Sequence, residues 1–537
     1  MLMKRYELIV IGAGPAGLCA AIEAAANGMQ VVVYDENSRP GGQLFKQIHK
    51  FFGSKEHKAK ERGFRIGEKL LDEARELGVE VVLNATVMGV FENKEITVMI
   101  EDRVEHIKGN EIIIATGASE NMLPFPGWTL PGVIGAGAAQ TMMNLHGIKP
   151  GNKILMVGSG NVGLVVGFQL IQAGCRLEAI IDASPRVGGY GVHASKLARL
   201  GVPFYMSNTV KEAYGEGSVK GVSIVEVDKN WQQVAGSEKT FEVDTICIAV
   251  GLSPMSQLAK MTGCIMEDSP AKGGLVPVCN EYGETSIPGI YAAGDVSGIE
   301  EASSAMLKGR IAGSAISYNQ GYLEENIFKE NQAKYRSSLE QLREGMFGHK
   351  NKGRTDLLNT EEGFEISLNL LENGFLADVE IAHYPGVVSQ ERRKQGIVPV
   401  IECTQNIPCN PCQDACEKGC IKVGQVITNL PIIDGTAKCT GCGMCVAACS
   451  GQAIFLVNED YAPGYATVGL PYEFRPLPQI GDKGIALDRS GKAVGEAEVI
   501  SIKSAKALDE TAILTIKVSE DLSMKARFFK SSKEVSL

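Results

Sequence analysis

Residues 8–17 read Leu-Ile-Val-Ile-Gly-Ala-Gly-Pro-Ala-Gly, a short apolar strand followed by a glycine turn that opens a helix. The glycines permit a tight turn and let backbone N–H groups approach a pyrophosphate at the helix N-terminus. Asp35 ends the second strand 18 residues after Gly17. A carboxylate there can hold ribose hydroxyls, and the adjacent Glu36 could substitute for it. The stretch predicts a dinucleotide site made of Gly12, Gly14, Pro15, Ala16, Gly17, Asp35 and Glu36.

A second unit of the same kind occupies residues 153–182. Residues 158–163 read Gly-Ser-Gly-Asn-Val-Gly after an apolar strand, and Asp182 follows 19 residues after Gly163. A carboxylate at that position accepts hydrogen bonds from a ribose 2′-OH and repels a 2′-phosphate, which favours NAD(H) over NADP(H). We assign to this second nucleotide site Gly158, Gly160, Asn161, Val162, Gly163 and Asp182.

The composition of the 537 residues is that of a globular protein, with 44% hydrophobic and 22% charged positions. These values exclude disordered and fibrous classes. No apolar run approaches the ~20 residues of a membrane-spanning helix. The net charge of −10 argues against nucleic acid as the main partner. The sequence leads directly into its first strand without a targeting segment, so we expect a cytoplasmic location.

Nine of the 14 cysteines lie between Cys403 and Cys449, and in a reducing compartment such a block indicates metal ligands rather than disulfides. Its second half, with Cys439, Cys442, Cys445 and Cys449, has the bacterial ferredoxin spacing. In that spacing three thiolates hold one [4Fe–4S] cluster and the fourth holds its neighbour. The first half is less regular, with Cys403, Cys409, Cys412 and Cys416. Zinc is the alternative metal, because four thiolates also suit a tetrahedral site.

The two halves of the cysteine block align by the residues that follow their last cysteines. Cys416-Glu-Lys-Gly-Cys420-Ile parallels Cys449-Ser-Gly-Gln-Ala453-Ile, which makes Cys416 a fourth ligand and places Cys420 at an alanine position. The ferredoxin rule then predicts two clusters that exchange their fourth ligands. The first takes Cys403, Cys409, Cys412 and Cys449, and the second takes Cys439, Cys442, Cys445 and Cys416. A rival assignment uses Cys420 and leaves Cys403 free.

Two further motifs complete a known pattern. Ala115-Thr116-Gly117-Ala118 follows the apolar strand 111–115, and residues 290–295 form a strand that ends in Gly294-Asp295. With the turn at residues 12–17, they resemble the fingerprints of the two-dinucleotide-domain flavoproteins, the glutathione- and thioredoxin-reductase superfamily. The resemblance implies FAD at the first site, and adds to it Gly42, Gln43, Val87, Ala115, Thr116, Gly117, Gly294 and Asp295. The redox disulfide of that superfamily is missing from both units, so we do not expect disulfide reduction.

We therefore expect an α/β protein in which a second dinucleotide-binding domain is inserted into an FAD-binding Rossmann-like domain. An α+β ferredoxin-like two-cluster domain and a small β-rich C-terminal cap follow. The predicted boundaries are 1–120 and 253–325 for the two parts of the FAD domain, 121–252 for the inserted domain, 326–400 for a helical linker, 401–456 for the cluster domain and 457–537 for the cap.

From residue 3 to about residue 315 the chain resembles the FAD subunits of heteromeric amine and imino-acid dehydrogenases. These include sarcosine oxidase alpha, opine oxidase A, hydrogen cyanide synthase B and dye-linked L-proline dehydrogenase alpha. The most specific segment is residues 126–133, Pro-Gly-Trp-Thr-Leu-Pro-Gly-Val. The resemblance implies a D-amino-acid-oxidase-like partner subunit that carries its own FAD and oxidises the substrate. Some members hold FMN at the subunit interface, and some bind ATP in place of NAD. Val165, where the reductases commonly have Glu, fits ATP or ADP.

Three functions are compatible with this sequence. The leading hypothesis is an FAD- and [4Fe–4S]-containing electron-transfer subunit of a heteromeric amino- or imino-acid dehydrogenase, with a proline-, hydroxyproline- or sarcosine-like substrate. Its electrons would pass to ferredoxin or another redox protein. The alternatives are a stand-alone NADH:ferredoxin-type oxidoreductase and a non-catalytic electron-wire subunit with a structural adenine nucleotide. The sequence shows no amine-oxidising constellation, so catalytic residues stay unassigned.

Overall fold

The chain divides into two compact units, and the computed structural model describes residues 4–345, 368–381 and 384–532. Unit 1 consists of Met1–Phe51, Glu56–Asn121 and Gly251–Lys350. Unit 2 consists of Phe52–Lys55, Met122–Val250 and Asn351–Leu537. The chain thus leaves unit 1 after residue 121 and returns to it at residue 251.

Unit 1 is built on a seven-stranded sheet whose central strands are parallel. Residues 8–11 of the first strand are all buried, and this is why the segment reads as an unbroken apolar run. In spatial order the strands are Glu80–Val82, Val31–Tyr34, Lys4–Ile11, Arg103–Ile114, Glu95–Ile100 and Ala85–Val90, and Ile290–Ala292 also pairs with Arg103–Ile114. Two antiparallel ladders join Ala118–Glu120 to Leu252–Pro254 and Met266–Ser269 to Gly274–Pro277.

The helices of unit 1 pack on this sheet and on each other. Pro15–Ala26, the helix that the first glycine turn opens, packs closely against Ala302–Asn319. A Cβ on Gly309 would lie 2.1 Å from the Ala16 carbonyl oxygen, so the two helices meet with their backbones almost in contact. The remaining helices are Gly63–Glu76, Gln257–Met261 and Glu325–Arg343, with short 3-10 turns at Gly42–Lys46, Pro270–Lys272 and Asp295–Ser297.

The first part of unit 2 repeats the nucleotide-binding architecture. A five-stranded parallel sheet has the spatial order Phe204–Met206, Arg176–Asp182, Lys153–Val157, Thr245–Ile248 and Val133–Gly135. Its helices are Ala136–His146, Asn161–Gln172 and Gly191–Ala198. A three-stranded antiparallel sheet consists of Asn208–Tyr214, Gly221–Glu226 and Lys239–Phe241.

The second part of unit 2 contains a seven-stranded antiparallel sheet. Its spatial order is Val398–Ile401, Ile454–Ala462, Tyr465–Tyr472, Ala512–Ser519, Ala493–Lys503, Lys483–Leu487 and Phe528–Ser531. The cysteine block lies between the first two of these strands, which pair with each other. The block is therefore a long connection between two neighbouring strands of one sheet.

Short elements complete unit 2. They are the helices Leu368–Asn373, Asp378–Ile381, Gln390–Arg393, Pro411–Asp414 and Met444–Ala448, the hairpin Ile421–Lys422 with Ile432–Ile433, and 3-10 turns at Lys506–Leu508 and Glu520–Leu522. The strand Val398–Ile401 begins inside the segment 326–400 that was predicted as a helical linker, and it ends one residue beyond it. Its four residues are all buried in the sheet, and so short an apolar run carries no period that distinguishes strand from helix. In the part of the chain that the structure describes, no helix is both long and apolar enough to cross a bilayer.

Candidate functional site

The first glycine turn has the geometry of a dinucleotide-binding turn. Gly12 has a φ of +103°, and a Cβ there would lie 2.4 Å from the Ala115 carbonyl oxygen. A Cβ on Gly17 would lie 1.9 Å from the Gly12 oxygen. Around Gly14, in contrast, none of the described atoms lies within 4 Å of the position that a Cβ would take. The backbone of Gly14 is therefore open to a ligand at the start of the helix.

Most of the residues predicted to bind the flavin meet at this turn. A Cβ on Gly42 would lie 3.0 Å from the Gly14 Cα, and a Cβ on Gly294 would lie 2.8 Å from the Ala16 Cβ. Pro15 occupies the first turn of the helix. The structure thus gathers around one helix N-terminus Gly12, Gly14, Pro15, Ala16, Gly17, Gly42, Ala115 and Gly294.

The other predicted flavin residues have distinct surroundings. Burial raises the pKa of the Asp295 carboxyl, whose Oδ1 accepts the Glu300 backbone N–H at 3.2 Å. Thr116 donates its hydroxyl to the Met255 carbonyl oxygen at 2.7 Å, and Gly117 has a φ of +73°. Gln43 is exposed, and Val87 is half-buried in the strand Ala85–Val90.

Asp35 is bonded to its own glycine turn. Its Oδ2 accepts the Ala13 backbone N–H at 2.7 Å, and its Oδ1 accepts the Asn37 backbone N–H at 2.8 Å. The side chain is buried, whereas the neighbouring Glu36 is exposed. Asp35 therefore fixes the turn to the end of the second strand, and Glu36 is the carboxylate that solvent or a ligand can reach.

The second nucleotide site repeats this arrangement. A Cβ on Gly158 would lie 2.2 Å from the Ala249 oxygen, and one on Gly163 would lie 2.1 Å from the Gly158 oxygen, while Gly160 has open space around it among the described atoms. The Asp182 Oδ2 accepts both the backbone N–H and the hydroxyl of Ser159, at 2.7 and 2.6 Å. The residue after Asp182 is Ala183, so this turn has no counterpart to Glu36.

Three residues to be compared with a nucleotide site lie in the first turns of the helix that follows the second glycine turn. Asn161, at the start of the helix Asn161–Gln172, accepts the Tyr190 backbone N–H at 2.8 Å with its side-chain oxygen. Val162 is exposed, and Val165 is buried in the same helix. A buried valine has no group that can hydrogen-bond to a nicotinamide. Ser159 was not among the predicted site residues, because its role depends on the position of Asp182 on the next strand.

One group of thiols consists of Cys403, Cys409, Cys412 and Cys449. Burial and then the nearby Cys449 thiol raise the pKa of Cys403, and the same two causes raise the pKa of Cys412 to about 12. Burial followed by the thiols of Cys412, Cys449 and Cys403 raises the pKa of Cys409. Cys449 therefore lies beside the three cysteines of the first half.

The other group consists of Cys416, Cys439, Cys442 and Cys445. Burial and then the thiols of Cys439, Cys416 and Cys442 raise the pKa of Cys445. Cys412 is also near Cys445, so the two groups are adjacent. Cys420 lies beside this second group, and burial followed by repulsion from Cys416 raises the pKa of its thiol to about 11.

The two halves of the cysteine block share a local hydrogen-bond pattern. The backbone N–H of Cys420 donates to the Cys416 sulfur at 3.2 Å, and the N–H of Ala453 donates to the Cys449 sulfur at 3.4 Å. Both bonds join residues four apart, at the positions that the sequence alignment equates. The N–H of Gly441 likewise donates to the Cys439 sulfur at 3.3 Å. Such bonds stabilise a thiolate.

The donor set fits a multinuclear cluster. All eight thiols are free, and six of them, all except Cys409 and Cys442, pack in or against one apolar group that includes Ile401, Val446 and Leu456. Next to Cys403, the buried Thr404 hydroxyl and Gln405 side-chain nitrogen have no hydrogen-bond partner in the described structure. Both groups can donate a hydrogen bond.

Among the described residues, no group of three or more His, Cys, Asp or Glu side chains is placed to hold one metal ion. Zinc and a cubane cluster differ in the spacing of the thiolates that bind them. Thiolates at ~2.3 Å from one zinc would lie within about 4 Å of each other. The four thiolates of a cubane stand farther apart, because each binds a different iron. Cluster ligation by these cysteines stays a prediction.

Two glycine turns, each between a strand of a parallel pair and a helix, define a protein with two candidate nucleotide sites. The family model described as pyridine nucleotide-disulphide oxidoreductase matches residues 6–309, more than half of the chain. The chain belongs to this family, which confirms the predicted FAD-dependent oxidoreductase with a dinucleotide-binding fold.

Three relatives place the chain within the family. Opine oxidase A of Agrobacterium tumefaciens is 30% identical over 328 residues, which cover 58% of this chain and 65% of that protein. Its namesake from Rhizobium meliloti strain 1021 is 30% identical over 344 residues, with 58% and 71% covered. Hydrogen cyanide synthase subunit HcnB of Pseudomonas aeruginosa is 29% identical over 332 residues, with 57% and 70% covered. The predicted resemblance to this group of subunits is confirmed.

A solved structure shows a similar fold. Thioredoxin reductase of T. acidophilum has a TM-score of 0.50 and 22% identity, and the match covers 59% of this chain and 99% of that one. At this identity the match supports the two-nucleotide-domain fold alone.

Proposed function

We propose that this protein is the FAD- and iron–sulfur-containing electron-transfer subunit of a heteromeric amino- or imino-acid dehydrogenase. The observation that carries the proposal is the arrangement of eight thiols in two adjacent groups of four, each with its fourth thiol taken from the other half of the block. In a member of a flavin-dependent family, such thiols supply ligands for two [4Fe–4S] clusters.

When bound, the flavin exchanges two electrons and each cluster exchanges one, so together they convert a two-electron transfer into one-electron transfers. The protein's part is to hold and insulate these groups. Apolar residues such as Ile401 and Leu456 pack against six of the eight thiols. The N–H groups of Gly441 and Ala453 point at ligand sulfurs, which tunes the ease of reduction.

FAD is proposed for the first nucleotide site. The open backbone at Gly14 would receive the FAD diphosphate at the helix N-terminus, and Asp35 keeps the turn in place through the Ala13 N–H. Because Asp35 is occupied by backbone donors, we assign the ribose hydroxyls to the exposed Glu36.

An adenine nucleotide with a structural role, such as ATP or ADP, is proposed for the second site in preference to redox-active NAD(H). Asp182 is bonded to Ser159, and it does not discriminate between these nucleotides, because NAD(H), ATP and ADP all carry a free 2′-OH. The buried Val165 offers no polar group where a nicotinamide would lie. A stand-alone NADH oxidoreductase is therefore less well supported than a subunit of a heteromeric dehydrogenase.

The proposed partner is a D-amino-acid-oxidase-like subunit with its own FAD, which oxidises a proline-, hydroxyproline- or sarcosine-like substrate. The names of the relatives, each a subunit of an oxidase or synthase, support a hetero-oligomer. We also propose FMN at the subunit interface. Ferredoxin or a similar redox protein is the proposed electron acceptor. The free thiols fit a reducing cytoplasm.

Anaerobic isolation of the intact complex tests the proposed function. The flavin spectrum is recorded after addition of proline, hydroxyproline or sarcosine, and separately after addition of NADH to the isolated chain. We expect bleaching by one of the amines in the complex and none by NADH in the isolated chain. Rapid bleaching of the isolated chain by NADH would show that it is a self-sufficient NADH oxidoreductase.

A further inference from the structure

The loop of residues 439–445, which carries three thiols of the second group, rests directly on the antiparallel sheet of unit 2. Gly443, in the middle of this loop, has a φ of +86°, and a Cβ there would lie 2.8 Å from the Ile513 Cγ1. Ile513 pairs with Lys503 on the neighbouring strand. The backbone of this loop, which we call the second ligand loop, therefore packs against the end of a pair of strands.

Lys503 is bonded to the second ligand loop. It is the last residue of the strand Ala493–Lys503, and its Nζ donates to the Gly441 carbonyl oxygen at 2.6 Å. The N–H of Gly441 donates to the Cys439 sulfur at 3.3 Å, so one polar group of this glycine faces a thiol and the other faces an ammonium group. Because the carbonyl belongs to the peptide bond between Gly441 and Cys442, the ammonium group also lies beside a second thiol-bearing residue.

The positive charge of Lys503 is not paired with a carboxylate. Among the described residues its Nζ makes no ion pair, and the acceptor of its hydrogen bond is the neutral Gly441 oxygen. Lys517, on the adjacent strand, differs in this respect, because its Nζ lies 2.6 Å from the Glu498 Oε2. The ammonium group of a lysine is a compact point charge. Without a carboxylate partner, the charge of Lys503 acts on the ligand loop beside it.

We propose that Lys503 is a positioning residue that favours the reduced state of the second iron–sulfur cluster. This inference rests on the proposed function, in which the second cluster takes Cys416, Cys439, Cys442 and Cys445. Reduction of a [4Fe–4S] cluster adds one electron and therefore one negative charge, so a fixed positive charge beside its ligands lowers the free energy of the reduced form. The bond to Gly441 also holds the second ligand loop on the sheet.

Anaerobic redox titration of the full chain with its clusters, with dithionite as the electron donor and electron paramagnetic resonance as the readout, tests this role. Lys503→Met should lower the ratio of reduced to oxidised second cluster about tenfold at a fixed potential, which for one electron is a midpoint lowered by about 59 mV. Lys503→Arg keeps the charge and should match the wild type. Lys517→Met is the matched control, because Lys517 is paired with Glu498, and both of its midpoints should be unchanged.

Two cysteine backgrounds identify the cluster that Lys503 affects. Cys409→Ala should leave only the second cluster, and adding Lys503→Met there should lower its midpoint. Cys416→Ala should leave only the first cluster, and the same addition should have no effect on it. The role of Lys503 is overturned by unchanged midpoints in Lys503→Met, by a lowering found only in the Cys416→Ala background, or by an equal lowering in Lys517→Met.

Iron content covers the case in which Lys503→Met does not retain the second cluster. If iron falls from about eight to about four atoms per chain in Lys503→Met while Lys503→Arg keeps about eight, the loop needs the cation and the role is supported. Loss of the second cluster in both variants refutes it. A wild-type chain that binds no clusters would instead refute the proposed function itself.

Discussion

Pairs of cysteine substitutions can measure which thiols share a cluster. Cys409→Ala with Cys449→Ala removes two thiols from one group, whereas Cys409→Ala with Cys416→Ala removes one from each. The wild-type chain should carry about eight irons, four for each cubane. Each single substitution should leave about four. The first pair should also leave about four, because the second loss falls on the same cluster, and the other pair should leave almost none.

Iron and acid-labile sulfide, measured per chain after anaerobic purification, provide the assay. Cys279→Ala, far from the block in sequence and half-buried in unit 1, is the control for handling losses and should keep all eight irons. Cys420→Ala should also keep them, since Cys420 holds the position of Ala453 in the other half. The reasoning is refuted if the Cys409/Cys416 pair keeps four irons and the Cys409/Cys449 pair loses all eight, because the ligands would then follow chain order.

Three further predictions concern unit 1. Gly12→Ala should abolish flavin retention and lower the thermal midpoint, because its Cβ would lie 2.4 Å from a carbonyl oxygen at a φ of +103°; flavin absorbance and calorimetry check this. Asp35→Ala should lower the free energy of unfolding of the apoprotein by roughly 1–3 kcal/mol, since it leaves two backbone donors without an acceptor. Glu36→Gln should instead weaken FAD binding about tenfold and leave unfolding of the apoprotein in urea unchanged; the reverse pattern would contradict the assignment. Burial raises the pKa of Glu111, whose Oε2 has no partner among the described residues. Its charged form opposes folding above that raised pKa, so Glu111→Gln should raise the thermal midpoint at pH 8, and the gain should vanish below about pH 4, where both folded and unfolded carboxyls are protonated.

The nucleotide turns could be predicted from the sequence because their glycines are required by the backbone itself. Gly12 and Gly158 each lie against a carbonyl oxygen with positive φ, and no other residue type fits there. The role of Asp35 could not be predicted in the same way. A carboxylate at the end of a strand fits either a ribose or the turn's own N–H groups, and only the position of Ala13 distinguishes the two.

In the cysteine block, too, the sequence predicts local geometry but not contacts between residues that are distant in the chain. The alignment of the residues after Cys416 and Cys449 equates Cys420 with Ala453, and both N–H groups donate to the equivalent sulfur, because a local motif repeats its local geometry. The buried ion pairs of Glu402 with Arg489 and Arg527 were not predicted at all. Glu402 and Arg527 are more than a hundred residues apart in the sequence, so only the folded chain brings them together.

Electron paramagnetic resonance of the intact complex, frozen after anaerobic addition of its amine substrate, tests the electron-transfer role most directly. We predict that signals of reduced [4Fe–4S] clusters appear in the wild-type complex. They should be lost when Cys409→Ala and Cys416→Ala are combined in this chain, and they should be absent when the isolated chain receives the same substrate. Reduction of the partner's flavin with no cluster signal from this chain in the wild-type complex would contradict the proposed function.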